Sequence, residues 1–274
     1  MHLKIAFIWN FSAAKEIYDY WRDGLRAAIE VIGETHDVDI WLGEDYKAID
    51  EAYDAYIIWG DSNERTIDFF VGKKGKKTLI LTTMPQDFEN LKKYDVIYCE
   101  STPVYEAVKA QGLRAIKAFG TDTDFFTPDP SVKKDIEYFY PATFSPWKLQ
   151  RDIAHLGNKL WCVGTVQADG QEDLQACLKN GVHVAQGYFK VEHIRQLYRR
   201  TKNVIIPAIH GSERTVLEAM SCDILPFVTN EENIKAKSYI KEYLDSELES
   251  PREFVLKNYS HRIYAENIMK GING

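Results

Sequence analysis

Residues 207–220 contain the residue types that hold an anion at the start of a helix. Their sequence, PAIHGSERTVLEAM, places a Gly-Ser turn between the end of an apolar strand and a helical pattern. Ser212 is predicted to be the N-cap of this helix, which would point the first-turn N–H groups of residues 211–215 at a ligand. A helix start of this kind is a ready site for a phosphate or a diphosphate.

Further along the predicted helix, Thr215 and Glu218 are three residues apart and share one face. A carboxylate one to two turns from a bound diphosphate is well placed to accept both hydroxyl groups of a ribose. Val216, Leu217 and Met220 are predicted to face the core. The residues alone leave an alternative open, in which this is an ordinary strand–helix unit with a solvated Glu218.

The elements that must position these side chains alternate along the whole chain. Short β-branched or aromatic runs are separated by helical patterns, which is typical of βαβ units and parallel sheets. A turn-rich stretch with two prolines at 120–130 interrupts the alternation. We therefore expect an α/β fold with two Rossmann-like halves facing each other across a cleft, where the carboxyl ends of the strands would bind ligands.

Both element types can be assigned from these patterns. The predicted strands are 3–9, 38–42, 55–59, 78–81, 96–99, 115–118, 136–139, 159–163, 183–185, 204–206 and 225–228. The predicted helices are 18–32, 62–72, 85–93, 103–110, 147–156, 171–179, 191–200, 213–221, 231–245 and 251–270.

The run GSERTVLEAM, residues 211–220, resembles the nucleotide-sugar signature of retaining GT-B glycosyltransferases, in particular glycosyltransferase family 4. That family has a Glu-x7-Glu motif followed by Ala-Met. Glu218 matches the second Glu, which implies that it holds the ribose of the donor. His210 stands where the family has the first Glu, the residue that contacts the donor sugar. The Gly-Ile-Pro that usually follows is replaced at 223–226 by Asp-Ile-Leu-Pro.

Two further segments extend the resemblance. Residues 120–128, GTDTDFFTP, are similar to the stretch that joins the two domains of the family. Residues 142–148, ATFSPWK, lie where the family has Gly-Arg-x-x-x-x-Lys. Lys148 matches the lysine that neutralises the donor diphosphate, and Thr143 stands in place of the arginine. Arg151, one helical turn beyond Lys148, is expected to compensate for the missing charge.

The resemblance implies three regions in a GT-B fold. The first, 1–125, is an N-terminal acceptor domain. The second, 126–255, is a C-terminal domain for the nucleotide sugar. The third, 256–274, contains a final helix, residues 260–272, that packs back toward the N-terminal domain.

The same resemblance implies roles for particular residues. The expected catalytic residues are His210, Lys148 and Glu218. The expected donor-binding residues are Lys148, Arg151, Tyr188, Gly211, Ser212, Arg214, Thr215, Val216 and Glu218. Tyr188 belongs to the loop that borders the nucleobase in the family, whereas Asn10 and Ser12 are expected on the acceptor side. Breaking a glycosyl–phosphate bond leaves negative charge on the diphosphate, so such a site needs fixed positive potential.

No metal site and no cofactor are predicted. Asp122 and Asp124 form an Asp-x-Asp pair, a spacing that binds metal ions in another glycosyltransferase fold. Their position in a turn-rich stretch before two phenylalanines favours a structural turn. The four cysteines have no metal-binding or disulfide spacing.

The distribution of charge limits the partners. Residues 1–128 carry 15 basic and 22 acidic side chains, whereas the remainder carries 19 of each. An acidic N-terminal half argues against nucleic acid and anionic membranes as partners. The basic run at 73–77 is either a solvated turn or a site for a phosphate-bearing acceptor. With no signal peptide and no stretch near the ~20 apolar residues of a membrane span, we expect a cytoplasmic protein.

The predicted function is transfer of a sugar from a nucleoside-diphosphate sugar, with UDP favoured, to an acceptor. Retention and independence of metal are implied by the resemblance alone. The acceptor is left open among a saccharide, a lipid-linked glycan, a protein and a small molecule. The departures at His210 and Thr143 support an alternative, a non-catalytic nucleotide-sugar sensor or interaction protein. The compact size suggests a further alternative, a DNA-modifying glycosyltransferase, against which the acidic half argues.

Overall fold

The chain divides into two compact α/β units. The computed structural model describes residues 1–18 and 22–274. Unit 1 comprises residues 1–120 and 260–274, and unit 2 comprises residues 121–259. The chain therefore leaves unit 1 after its sixth strand and returns to it for one last helix. Within the described part of the chain, no helix has both the length and the apolar character needed to cross a bilayer.

Unit 1 is built on one parallel sheet. Its strands are β1 (Lys4–Trp9), β2 (Asp37–Leu42), β3 (Ala55–Gly60), β4 (Lys76–Leu81), β5 (Val96–Cys99) and β6 (Ala115–Lys117). Their spatial order is β2-β1-β3-β4-β5-β6. The helices are α1 (Ala14–Ile17), α2 (Gly24–Gly33), α3 (Ile67–Phe70), α4 (Phe88–Leu91), α5 (Thr102–Lys109) and, from the end of the chain, α12 (His261–Asn273).

Successive side chains of β1 point to opposite faces of the sheet, and both faces are buried. Ile5, Phe7 and Trp9 face a core that includes residues of α2 and α12. Ala6 and Ile8 face a second core on the other side of the sheet. Alternating side chains point to opposite faces of a strand, so a strand buried on both sides needs apolar residues at every position.

The helix predicted over 18–32 falls partly on residues 19–21, which lie outside the described residues. In the described part, α2 begins at Gly24. Asp23 is its N-cap, and its Oδ1 accepts a hydrogen bond from the backbone N–H of Arg26. This carboxylate satisfies one of the N–H groups that the first turn of a helix leaves without an internal partner.

Unit 2 has a second parallel sheet. Its strands are β7 (Ile136–Pro141), β8 (Leu160–Gly164), β9 (His183–Gln186), β10 (Thr201–Ile206) and β11 (Phe227–Val228). Their spatial order is β11-β10-β7-β8-β9. The helices are α6 (Gln150–Ile153), α7 (Gln171–Lys179), α8 (Val191–Arg200), α9 (Glu213–Ser221), α10 (Ile234–Leu244) and α11 (Pro251–Asn258).

The strand order of unit 2 creates a topological switch point between β7 and β10. From β7 the chain moves outward to β8 and β9, and it then returns to pair β10 with the opposite side of β7. The loops that follow β7 and β10 therefore leave neighbouring strands at the same edge of the sheet. In open parallel sheets, this is where ligands bind.

The stretch predicted as one helix over 251–270 contains two helices. The first, α11, ends at Asn258, and Ser260 caps α12 by accepting a hydrogen bond from the N–H of Ile263. Ser at an N-cap favours a new helix start, and this signal lies inside the apolar periodicity that suggested a continuous helix.

Candidate functional site

The loop from β10 to α9 has an uncommon backbone. Gly211 and Ser212 are consecutive left-handed residues, with φ of 77° and 72°. Ser212 is the N-cap of α9, as predicted, but its side chain forms no capping hydrogen bond within the described structure. A capping serine has an extended backbone. In the left-handed conformation, its Oγ instead lies 3.2 Å from Nζ of Lys148 and 3.5 Å from the hydroxyl of Tyr140.

Lys148 reaches this loop from the neighbouring segment that follows β7. Its Nζ donates hydrogen bonds to the carbonyl oxygen of His210 and to Oγ of Ser212, each over 3.2 Å. A Cβ atom placed on Gly211 would lie 2.6 Å from the same Nζ. The structure therefore brings Lys148, His210, Gly211 and Ser212 together at the start of α9, and a side chain at position 211 would displace the ammonium.

His210 stacks on Trp147, a residue that the sequence analysis did not select. The two ring centroids are 6.0 Å apart with an angle of 18° between the planes. The carbonyl oxygen of Trp147 also accepts a hydrogen bond from the N–H of Ile209. Partial desolvation lowers the pKa of His210, and the positive charges of Lys148 and Lys235 lower it further.

Three more buried polar residues surround the loop, and none of them was predicted from the sequence. Glu213 begins α9 and forms an ion pair with Lys235, with Oε1 and Nζ 3.0 Å apart. Asn233 precedes α10 and caps it through its Oδ1. An Asn before a helical pattern is a recognisable N-cap signal, but nothing local indicates that it also contacts the β10–α9 loop.

Glu218 is held from two sides. The Tyr198 hydroxyl donates a hydrogen bond to its Oε2 over 3.0 Å, and Nε of Arg214 lies 3.2 Å from its Oε1. Only 4% of Glu218 is exposed, which excludes the alternative of a solvated carboxylate. Its neighbour Thr215 is buried, with Oγ1 donating to the carbonyl oxygen of Pro141.

The apolar residues of α9 lie where the sequence analysis expected them. Val216, Leu217 and Met220 are fully buried. They fix the rotation of the helix and so determine which side chains its other face presents.

Two other predicted donor residues lie elsewhere in unit 2. Nη1 of Arg151 is 3.4 Å from Oε2 of Glu172, and the backbone N–H of Arg151 donates to Asp173. The guanidinium is thus paired with α7, whereas Lys148 is bonded to the β10–α9 loop. Tyr188 follows β9 and is 64% exposed.

The two predicted acceptor-side residues belong to unit 1. Nδ2 of Asn10 donates to Oγ1 of Thr66 over 2.9 Å and to Oε1 of Glu64 over 3.5 Å. These two bonds join the loop after β1 to the loop after β3. The strands are neighbours, and the chain runs outward from them in opposite directions across the sheet. Ser12 is exposed in the turn before α1.

Asp122 forms a structural turn. It is 1% exposed, and its Oδ1 accepts hydrogen bonds from the N–H groups of Asp124 and Phe125, over 3.2 and 3.0 Å. Among residues 1–18 and 22–274, no group of three or more His, Cys, Asp or Glu side chains is arranged to hold a metal ion.

No protein-family model and no curated protein matches the chain. Solved structures do match along its full length. A trehalose-6-phosphate synthase, OtsA, has a TM-score of 0.66 at 8% identity, with 98% of this chain and 99% of the other covered. An alpha-glucosyltransferase in complex with UDP and a 13-mer DNA has 0.63 at 11%, covering 100% of both chains. A glycosyltransferase of avilamycin A biosynthesis has 0.60 at 12%, covering 99% and 97%.

At these identities the similarity shows the fold alone. The chain has two Rossmann-like domains of the kind found in GT-B glycosyltransferases, as the sequence predicted.

Proposed function

We propose that the chain is a glycosyltransferase whose second unit binds a nucleoside-diphosphate sugar, with UDP as the favoured nucleotide. One observation carries the proposal. The ammonium of Lys148 lies against Gly211 at the start of α9, bonded to His210 and Ser212, at the switch point of the parallel sheet. A fixed cation beside the N-terminus of a helix is suited to a diphosphate.

The chemistry of transfer needs positive charge at this position. When the bond between the anomeric carbon and the diphosphate oxygen breaks, its electron pair leaves with the diphosphate. Lys148 and the N–H groups at the start of α9 stabilise that developing charge because they are already in place before the reaction.

Glu218 is proposed to bind the ribose. The Tyr198 hydroxyl fixes the orientation of the carboxylate through Oε2. Nε of Arg214, whose side chain is 47% exposed, lies 3.2 Å from Oε1, the oxygen proposed to accept a ribose hydroxyl. Support for UDP and for retention of configuration comes from the resemblance of residues 211–220 to the family 4 signature.

His210 is proposed to contact the sugar. Its lowered pKa favours a neutral imidazole near pH 7, and its stack on Trp147 fixes the plane of the ring. A neutral imidazole has one donor and one acceptor nitrogen, which is the complement of a sugar hydroxyl.

The proposal is tested by a thermal-shift screen with UDP, GDP and ADP, followed by incubation with UDP-glucose. A nucleotide at 100 times its Kd adds about 2.7 kcal/mol to the free energy of unfolding and raises the melting temperature. We expect UDP to stabilise the wild type and to be released slowly from UDP-glucose by hydrolysis.

The matched variants for this test are Lys148→Met and Lys159→Met. Lys159 is an exposed lysine of the same unit, so its loss removes the same charge away from the site. We expect the stabilisation by UDP to be reduced only in Lys148→Met. Absence of stabilisation of the wild type by any of the three nucleotides contradicts the proposal.

A non-catalytic nucleotide-sugar sensor is the second candidate, because His210 stands where the resembled family has a carboxylate. A sensor would bind UDP-glucose and release no UDP from it. Modification of DNA is disfavoured by the acidic charge of residues 1–128. A gel shift at low salt and micromolar protein tests that last possibility directly.

A further inference from the structure

The first residues of α10 lie against the proposed diphosphate loop. Asn233 is 1% exposed, and its Oδ1 accepts a hydrogen bond from the N–H of Ala236, which caps the helix. Its Nδ2 donates to the carbonyl oxygens of Ala208 and Gly211, over 3.0 and 3.1 Å. One side chain therefore caps the start of α10 and donates to two carbonyl groups of a loop more than twenty residues earlier in the chain.

Lys235 holds the other end of the same loop. Its Nζ is 3.0 Å from Oε1 of Glu213, the first residue of α9. The two residues are only 6% and 5% exposed. A buried ion pair is sensitive to geometry, because loss of one partner leaves an uncompensated charge out of water.

The loop needs such support because its conformation is unfavourable. Ser212 has φ of 72°, and a left-handed backbone is unfavourable at a residue with a Cβ atom. Strained backbone persists where surrounding contacts determine it. Lys148 bonds to the loop from the β7 side, while Asn233 and Lys235 bond to it from α10.

We propose that Asn233 and Lys235 are positioning residues for the diphosphate site. They hold residues 208–213 so that the backbone N–H groups at the start of α9 and the ammonium of Lys148 face one anion. This inference rests on the proposed function for the identity of the anion. The placement of the loop that it describes can be measured without any nucleotide.

The variant Asn233→Asp separates the two roles of Asn233. Aspartate keeps the acceptor that caps α10 but cannot donate to Ala208 and Gly211. We expect the affinities for UDP and for inorganic pyrophosphate, measured by calorimetry, to fall about tenfold, which is the loss expected for displaced bonds to a charged ligand. The matched control is Asn230→Asp, because Oδ1 of Asn230 accepts from Glu232 and aspartate preserves that bond.

The ion pair is tested by Lys235→Met and by the double variant Glu213→Gln/Lys235→Met. The single variant leaves the buried Glu213 carboxylate without its ion-pair partner, so it is expected to lower the melting temperature. The double variant removes both charges, so its melting temperature is expected to recover while its affinity for UDP stays about tenfold weak. Lys237→Met is the control, since Lys237 pairs with the exposed Glu231 on the same part of α10.

Recovery of both stability and UDP affinity in the double variant, or unchanged affinity in Asn233→Asp, overturns the positioning role. A wild type that binds neither UDP nor pyrophosphate instead contradicts the proposed function. In that event amide hydrogen exchange, measured without any nucleotide, decides the positioning role. We expect the backbone amides of residues 208–213 to exchange faster in Asn233→Asp as the loop relaxes, and unchanged exchange overturns the role.

Discussion

The Tyr198 hydroxyl donates a hydrogen bond to Oε2 of Glu218 over 3.0 Å, and both side chains are buried. Burial first, and the adjacent Glu218 charge second, raise the pKa of Tyr198 well above its usual range, so the phenol remains a donor at any ordinary pH. This bond occupies Oε2. The other oxygen, Oε1, now contacts Arg214 and would accept a ribose hydroxyl in the proposed complex.

Glu218→Ala is expected to weaken UDP binding by about 1–3 kcal/mol, because a charge-assisted hydrogen bond to the ribose is lost. Isothermal titration calorimetry with UDP and GDP measures the change. Glu172→Ala, which removes a well-exposed carboxylate of the same unit, serves as the control. Unchanged affinity for both nucleotides in Glu218→Ala contradicts the assignment of the ribose.

Gly211→Ala and Gly181→Ala form a matched pair. Both glycines have positive φ, 77° and 74°, so alanine is expected to reduce the free energy of unfolding by about 1–2 kcal/mol at either position. Only at Gly211 does the new Cβ meet Nζ of Lys148, since nothing lies within 4 Å of a Cβ at Gly181. Urea denaturation should show similar losses, while UDP affinity should fall only in Gly211→Ala. Equal UDP affinity in the two variants would show that the ammonium does not need its present position.

The pH dependence of nucleotide binding is expected to depend on His210. Desolvation and the charges of Lys148 and Lys235 lower its pKa in the free protein. A bound diphosphate favours the imidazolium and raises that pKa, so binding takes up a proton and UDP affinity increases as the pH falls from 8 to 6. Calorimetry at pH 6, 7 and 8 measures the trend, and His210→Gln separates it from titration of the nucleotide itself. A slope that is the same in wild type and variant removes His210 from the explanation.

The lowered pKa of His210 also makes the stability of the fold depend on pH. Stability falls as the pH falls, whereas the affinity for UDP is expected to increase. The unfolded chain binds a proton at His210 more readily than the folded chain does. The contribution of His210 to stability is therefore present above its ordinary pKa of 6.5 and is lost as the pH falls from there toward the lower folded value. Melting curves of wild type and His210→Gln between pH 5 and 8 give the sign.

Asp122→Ala is expected to destabilise the protein by about 1–3 kcal/mol, because the turn N–H groups of Asp124 and Phe125 lose their buried acceptor. Asp124→Ala, at an exposed position, is expected to destabilise the protein less than Asp122→Ala does. Chemical denaturation measures both. If Asp122→Ala and Asp124→Ala were equally stable, and Mg²⁺ raised the melting temperature of the wild type but of neither variant, the pair would be a metal site.

Each predicted strand has a counterpart in the structure, and the local signal is strongest for strands that are buried on both faces. The runs IAFIW and AYIIWG are continuous apolar stretches between turn residues, and they form β1 and β3. Helix boundaries were harder to predict. The apolar period continues across residues 251–270, so the break at Tyr259 depends on a cap, Ser260, that composition alone did not distinguish from a helical serine.

The site was predictable where its residues lie at strand ends and missed where it depends on the backbone or on distant residues. Lys148, His210 and Gly211 follow strands and meet at the switch point. The left-handed backbone of Ser212 turns its hydroxyl toward Lys148, which no residue pattern in the segment indicates. Likewise, the charges of Glu172 and Asp173 pair with Arg151, and only the folded contact between α6 and α7 reveals this.

The return of the chain to unit 1 affects the order in which the protein is completed during synthesis. Tyr264 and Ile268 of α12 belong to the core of the first sheet, and the Tyr98 hydroxyl donates to the carbonyl oxygen of Ile268 over 2.6 Å. Because residues 121–259 are translated before α12, the second unit has all its strands and helices while the first still lacks part of its core. A nascent chain at this stage exposes the apolar sheet face that α12 later covers, and a cleavage after Tyr259 followed by loss of α12 would expose the same face.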